Sequence, residues 1–494
     1  MTWSFEYAPS SALPPLFWLA EITGKSVRVR CGIAVRTMDG GFFEGTWSGP
    51  SDMASVVDGH TVFGSGIVAR GGELIVVTPS HMLEPVCHTR DGQTLLLSNS
   101  FVALLVATGR ELRGDFLYPP ILGVTNRGLS GSTIEVPTKT DPITMQYFFN
   151  LAVNRTGALE LRSKSSYPAF TGYASYRDFL IANTKSAFIN APGYEPVVAM
   201  SSGYDSTASG AVAARAGCKR VVNFRTGWAW QGYTGDVDSP DVAAKALGMD
   251  VERYERLAYM ECDDAPEAEF LATGGTGEDV VYRSMDMALA KRIVVTGYWG
   301  GAAWRGHARY GLKRIDLSGA SMAEFRNRVG MIHMPLPYIG GLHQPTMAAI
   351  RTSDEMKPFA VGGEYDEPVA RRLAEEAGVP RGSFGVEKLA ASQRIHVFGV
   401  EGMSSSGRSS FEAFAGVEAL AGLPRKDVVG KRHRGLIKAA AALHLDPLAA
   451  GLRERVRQVV NHEPVLGSLL LRWAVELTKP RYVELARPEV SSRD

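Results

Sequence analysis

Pro196-Val197-Val198-Ala199-Met200-Ser201-Ser202-Gly203-Tyr204-Asp205-Ser206-Thr207, followed by the alanine-rich run Ala208 to Ala216, decides the fold of this chain. Five apolar residues without polar alternation read as a strand buried on both faces. They pass at once into a short polar loop, and the alanines beyond it favour a helix. A strand, a tight polar loop and a helix make an anion-binding architecture. The amides at the helix start and the positive end of its dipole face the loop, and Ser and Thr hydroxyls add further donors. Gly203 lets the backbone approach the anion with no side chain in the way. Asp205 is no direct phosphate ligand, but it suits a carboxylate holding Mg²⁺ on phosphate groups. The same residues also suit an ordinary capped helix after a strand, since Ser, Thr and Asp are all good caps.

Downstream the texture continues, with a strand at Arg220 to Phe224 and a helix at Pro240 to Leu247. Strand–helix alternation predicts a parallel sheet. Upstream, from about residue 25 to 140, short strand-like runs such as Ser26 to Val35 and Leu74 to Thr78 are separated by Asp39-Gly40-Gly41 and Arg70-Gly71-Gly72 turns. Beyond about 385 the sequence predicts helices, including Gly435 to Leu445 and Leu466 to Glu476, and no convincing strand. The expected organisation is α/β, with a β-rich domain over 1–172 and a parallel-sheet domain over 173–494 whose tail is helical from about 390. The change falls near Pro168 to Tyr176.

Composition bounds the partners. Across 494 residues, 53 Lys+Arg against 52 Asp+Glu leave a net charge of +1, which argues against nucleic acid as an obligate partner. With 45% hydrophobic and 21% charged residues the chain can bury a real core. The most apolar segment, Leu95 to Thr108, is interrupted by Ser98-Asn99-Ser100 and falls short of the roughly 20 residues that span a bilayer, so no membrane association is expected. Met1-Thr2-Trp3-Ser4-Phe5-Glu6 lacks the basic, then apolar pattern of a secretory signal. Cys31, Cys87, Cys218 and Cys262 are widely spaced with no C-x-x-C pair, which indicates neither a zinc site nor a disulfide scaffold. The expected compartment is the cytoplasm.

Ser201 to Ser206 resembles the S-G-G-x-D-S pyrophosphate loop of the ATP pyrophosphatases (PP-loop proteins), with Ser202 in place of the first glycine. Other segments are similar to the asparagine synthetase-like branch of that superfamily. They are Asn223-Phe224, where such proteins place the adenine, Val294-Val295-Thr296-Gly297 with its turn Gly300-Gly301, and the distal stretches Ser353 to Pro358, Tyr365 to Arg372 and Val379 to Lys388. The resemblance covers roughly residues 175 to 390. It implies a HUP-type domain binding ATP and Mg²⁺ as cofactors. Ser201, Ser202, Gly203, Asp205, Ser206, Thr207, Asn223, Phe224 and Gly297 would lie about the nucleotide, with Asp205 on the metal. A distal lysine reaches the reaction centre in that family. Lys388 matches it best and Lys357 is a second candidate. The turn Gly297-Tyr298-Trp299-Gly300-Gly301 departs from the family, which carries acidic residues there. A second metal carboxylate would then come from Glu278 or Asp279, or be missing.

Glutamine-dependent members begin with a catalytic cysteine whose α-amine is the base, whereas this sequence reads Met1-Thr2. Cys31-Gly32-Ile33-Ala34-Val35 looks like such a start displaced inward, but a cysteine in a buried strand is the expected reading. Residues 1 to about 170 are therefore expected to be a degenerate glutaminase-like (Ntn-like) layer or an unrelated β-rich domain, without glutaminase activity. Gly64-Ser65-Gly66-Ile67-Val68-Ala69 fits a dinucleotide fingerprint but leads into a strand-like run, so it reads as hairpin. His333, His343 and His433 lie at no metal spacing and read as structural, and Lys431-Arg432-His433-Arg434 as a solvated face.

The function these readings imply is an ATP-dependent ligase. It would activate a small-molecule or peptide carboxylate as an acyl-AMP, release pyrophosphate, and let an amine displace AMP. Modification of a nucleobase and non-catalytic ATP binding or sensing are the alternatives, and a homodimer is open as the assembly.

Overall fold

The computed structural model describes residues 3–116, 118, 128–154, 157–165, 169–225, 228–229, 232–233, 238–305, 318–363, 365–386, 389–393, 395, 399–420 and 464–486. The amino-terminal strands are β1 (Ser4–Ser10), β2 (Trp18–Thr23), β3 (Ser26–Gly32), β4 (Arg36–Met38), β5 (Gly41–Trp47), β6 (Val62–Arg70), β7 (Glu73–Val77), β8 (Val86–Asp91), β9 (Thr94–Ser98), β10 (Thr133–Val136), β11 (Ile143–Gln146), β12 (Asn150–Val153) and β13 (Leu159–Arg162). They form a seven-stranded sheet, β1-β3-β2-β9-β8-β11-β10, and a six-stranded sheet, β13-β12-β7-β6-β5-β4. The two sheets share one core. Trp18 of the first meets Phe42 of the second edge-on, with ring centroids 5.2 Å apart, and its indole N–H donates to Ser65 Oγ at 3.0 Å. The G-x-G-x-x-A stretch lies within β6, whose turn at Gly71-Gly72 leads into β7, as the hairpin reading expects.

Ser98-Asn99-Ser100 breaks the apolar segment for a local reason. The Asn99 side chain accepts from the Trp18 amide at 3.0 Å, and the Ser100 hydroxyl caps the following helix, Phe101–Thr108, by accepting from the Ala103 amide at 3.0 Å. One apolar run thus becomes a strand and a buried helix. None of the described helices is long and apolar enough to cross a membrane.

Cys31 sits in β3, paired on one side with Pro9 and on the other with Trp18. It is 1% exposed, and burial pushes its thiol up to about 11. The Arg30–Cys31 bond is therefore an interior peptide of a sheet strand. Thr2 lies outside the described residues.

After the helix Tyr173–Ile189 come the parallel strands β14 (Glu195–Ala199), β15 (Arg220–Phe224), β18 (Asp250–Tyr254), β19 (Arg292–Thr296) and β20 (Ile332–Pro335). Between β15 and β18 lie two short strands, β16 (Trp228–Ala229) and β17 (Gly232–Tyr233). The five long strands pair in the order β18-β15-β14-β19-β20, all parallel. The chain moves outward from β14 through β15 to β18, then crosses to the other side for β19 and β20. The order reverses between β14 and β19, and in open sheets of this kind a ligand crevice opens there, at the carboxyl ends of the strands.

Two features of the distal region depart from the sequence expectation. A strand is present beyond residue 385: β21 (Leu389–Ala390) pairs antiparallel with β16. Two residues carry too little periodicity to show as a strand in sequence. The carboxyl-terminal segment also does not belong to the parallel sheet alone. After the helix Pro464–Thr478 it returns to the amino-terminal layer, where Tyr482 packs 4.9 Å from Phe17 and Ser10 donates to Glu484 at 2.9 Å. The helix predicted at Gly435 to Leu445 and the basic run Lys431 to Arg434, with His433, lie outside the described residues.

A chain of buried ionisable groups joins the two layers. Arg326, on the helix Ala323–Val329, donates to Glu44 through both terminal nitrogens, and its Nε lies 3.1 Å from Glu84. His81 lies in the same cluster, and burial pushes its imidazole down to about 3. A histidine kept neutral in the fold but protonated in the unfolded chain binds fewer protons when folded. Its contribution to stability is then complete above about pH 6.5 and is lost as pH falls toward 3. Denaturant unfolding across this range should show a steep acid loss that His81→Gln flattens; an unchanged slope would show that His81 does not titrate on unfolding.

Candidate functional site

The loop expected to hold phosphate lies at the reversal point of the parallel sheet. The helix begins at Tyr204 and runs to Arg215, earlier than the sequence suggests, so Asp205, Ser206 and Thr207 occupy its first turn. Gly203 is its extended N-cap, with φ −74° and ψ 158°. Asp205 thus stands where the helix dipole favours a negative charge.

The loop is closed by its own side chains. The Ser201 amide donates to Ser206 Oγ at 3.2 Å, the Gly203 amide to Ser201 Oγ at 3.2 Å, and Thr207 Oγ1 to the Ser201 carbonyl at 3.1 Å. The Ser202 amide and hydroxyl both donate to one oxygen of Asp238, at 2.9 and 2.8 Å. Loop donors that could meet phosphate oxygens are therefore met here by serine hydroxyls and a carboxylate. Asp238 escaped the sequence reading because its partner lies 36 residues away.

The turn after β19 lies directly on the start of this helix. A Cβ added at Gly297 would stand 2.6 Å from the Asp205 carbonyl carbon, and one at Gly300 would stand 2.2 Å from Asp205 Oδ1. No side chain fits at either position. The space above Gly300 is thus taken by Asp205 itself. Trp299 adopts φ 72° and stacks on Tyr338, with ring centroids 4.7 Å apart.

Asn223 and Phe224 end β15 beside the loop. The Asn223 side-chain Nδ2 donates to the Met200 carbonyl at 2.9 Å and to the Asp238 carbonyl at 3.4 Å, tying the loop's start to the 238 segment. Phe224 is buried edge-on against Tyr282. The distal stretch supplies the floor. Tyr365 Oη accepts from the Tyr204 amide at 3.3 Å, Arg371 donates to Tyr204 Oη, and the Gly385 amide donates to the Ser202 carbonyl at 2.7 Å. Gly385 has φ +65° and lies against the Tyr204 ring, a left-handed position that favours glycine.

The other candidates are placed differently. Lys357 is on the surface, its side chain 76% exposed and ion-paired with Asp354 at 2.7 Å. Lys388 lies outside the described residues, between Gly385 and β21. Asp279 is occupied in fastening a loop, accepting from the amides of Gly319 at 2.8 Å and Ser321 at 3.1 Å. The Glu278 carboxylate meets Ser318 Oγ only at 3.5 Å, and the Glu278 carbonyl accepts from the Gln393 amide. Among the described residues, no group of three or more His, Cys, Asp and Glu side chains is placed to hold a metal ion. A Mg²⁺ bound on phosphates needs only one or two carboxylates, the remaining ligands being phosphate oxygens and water, so Asp205 at the helix start still suits that role.

No family model matches this chain, and no curated protein matches its sequence.

Proposed function

We propose that this protein is an ATP-dependent, adenylate-forming amide ligase, built on a HUP-type parallel sheet with a degenerate glutaminase-like layer at its amino end. The observation that carries the reading is the Ser201–Thr207 loop at the reversal point between β14 and β19, with the glycine turn 297–301 packed against it. ATP would lie with its phosphates on the loop and its adenine toward Asn223 and Phe224. Mg²⁺ held by Asp205 would neutralise phosphate charge when bound. The carboxylate oxygen attacks the α-phosphorus, pyrophosphate departs, and an amine then displaces AMP from the acyl group. Ser201, Ser202, Ser206, Thr207 and the backbone at Gly203 would orient the leaving pyrophosphate, so the chain contributes proximity and charge stabilisation.

The Gly385 amide donates to the Ser202 carbonyl, and Leu389 pairs with Ala229 of β16. Of the two candidate lysines the reading uses Lys388, because Lys357 is exposed and ion-paired with Asp354. Carboxylate-dependent exchange of labelled pyrophosphate into ATP tests the reading, using a metabolite extract as the source of acids. Exchange that depends on the extract supports it, and its absence counts against it. Lys388→Ala should lower AMP formation by about 100-fold while ATP binding changes little, because its charge matters chiefly in the transition state. Equal losses in both would remove that role.

One observation favours non-catalytic ATP binding or sensing as the second reading: the loop donors already have protein acceptors, with Asp238 among them. Nucleobase thiolation finds less support. Cys218 is fully buried before β15, at the strand end opposite the loop, with its thiol pushed up to about 11 by burial.

A further inference from the structure

Thr296, the last residue of β19, immediately precedes Gly297, which lies against Asp205. Its hydroxyl is 3.1 Å from Nε2 of His333 on the neighbouring strand β20, and His333 Nδ1 is 3.3 Å from an oxygen of Glu84. Glu84 belongs to the amino-terminal layer, in the segment between β7 and β8. All three residues are buried. Burial alone would raise the Glu84 carboxyl, but Arg326 and the His333 hydrogen bond pull it down to about 2, so it is an ionised acceptor. His333 then carries its proton on Nδ1, and Nε2 is left to accept from the Thr296 hydroxyl. A hydroxyl, an imidazole and a carboxylate in this order make a directed path for one proton, with the hydroxyl one residue before the Gly297 turn at the carboxyl end of β19.

We propose that Thr296, His333 and Glu84 form a proton relay for the amine step, with Glu84 of the amino-terminal layer as its orienting member. The inference rests on the ligase reading. As the amine nitrogen bonds to the acyl carbon, the bond from that carbon to the phosphate oxygen breaks and AMP leaves with the electron pair. The proton lost by the amine passes to Thr296 Oγ1, whose own proton moves to His333 Nε2. Glu84 holds the resulting imidazolium, which later returns its proton to solvent. His333 also faces His81, ring centroids 6.1 Å apart, and Tyr298, 5.7 Å away. Arg326 pairs with Glu84 and Glu44, and Lys164 is a further positive group acting electrostatically on His81. Glu84 thus lets the amino-terminal layer complete a site in the other layer.

The test uses the full-length protein, α-labelled ATP and a metabolite extract, with and without hydroxylamine, which captures acyl-adenylates without help from a base. His333→Gln should lower AMP release by about 100-fold in the absence of hydroxylamine and leave hydroxamate formation near the wild-type rate. Glu84→Gln should show the same split between AMP release and hydroxamate formation, because the imidazole then loses the carboxylate that orients it. Hydroxamate formation reports that each variant is folded. Unchanged AMP release in His333→Gln overturns the relay, and so does an equal loss of AMP release and hydroxamate. A wild-type protein that yields no hydroxamate overturns the ligase reading itself, and the relay with it.

Discussion

Asp205→Asn should lower Mg²⁺-dependent pyrophosphate release by about 1000-fold and leave the fold intact. Asp205 lies in the first turn of its helix with Gly297 and Gly300 pressed against it, so an isosteric amide fits where a larger side chain would not. The structural loss is the interaction of one carboxylate with the helix dipole, about 0.3–1 kcal/mol. The functional loss is far larger, because an amide oxygen carries no net charge to hold a divalent cation beside phosphates. Pyrophosphate release and thermal unfolding, measured on the same preparation, separate the two. Wild-type release from Asp205→Asn would remove the metal role of this residue, and with it the loop assignment.

Arg326→Met should lower stability by about 3–5 kcal/mol, because it leaves two buried carboxyl groups without their shared cation. Glu44 and Glu84 approach Arg326 from the same layer, and all three are at most 5% exposed. Burial already pushes the Glu44 carboxyl up to about 7, even with Arg326 beside it. In the variant both carboxyls escape part of the cost by taking up protons that the unfolded chain releases above its ordinary carboxylate range. The folded variant then binds more protons than the unfolded chain, so its deficit grows as pH rises from about 5 to 8. Denaturant unfolding at both ends of this range checks the size and the sign. A triple variant, Glu44→Gln, Glu84→Gln and Arg326→Met, should recover much of the loss, which separates an uncompensated charge from a simple packing defect. A deficit independent of pH would point to packing instead.

What was legible in the sequence follows from how local each signal is. The strand Pro196 to Met200, its polar loop and the helix after it are contiguous, and β14, the loop and the helix appear where they were expected, with the helix starting at Tyr204. The glycine turn 297–301 was legible as a departure from a pattern, but not its reason, since the contact with Asp205 spans some ninety residues of chain. Asp238, Tyr365 and Arg371 close the loop from distant segments, and no spacing rule connects them to Ser202 or Tyr204. His333 read as a lone structural histidine because Thr296 and Glu84, the residues that give it direction, come from another strand and another layer. The two-residue strand β21 was too short for any periodicity to announce it.

The most direct measurement follows the fate of both ends of ATP. The protein is incubated with Mg²⁺, a metabolite extract and ATP labelled separately at the α- and γ-phosphates, and the labelled products are separated. The expected result is α-label in AMP and γ-label in pyrophosphate, both dependent on the extract and both lost in Asp205→Asn. Label appearing in ADP and inorganic phosphate, or ATP recovered unchanged, would contradict adenylate formation by this protein.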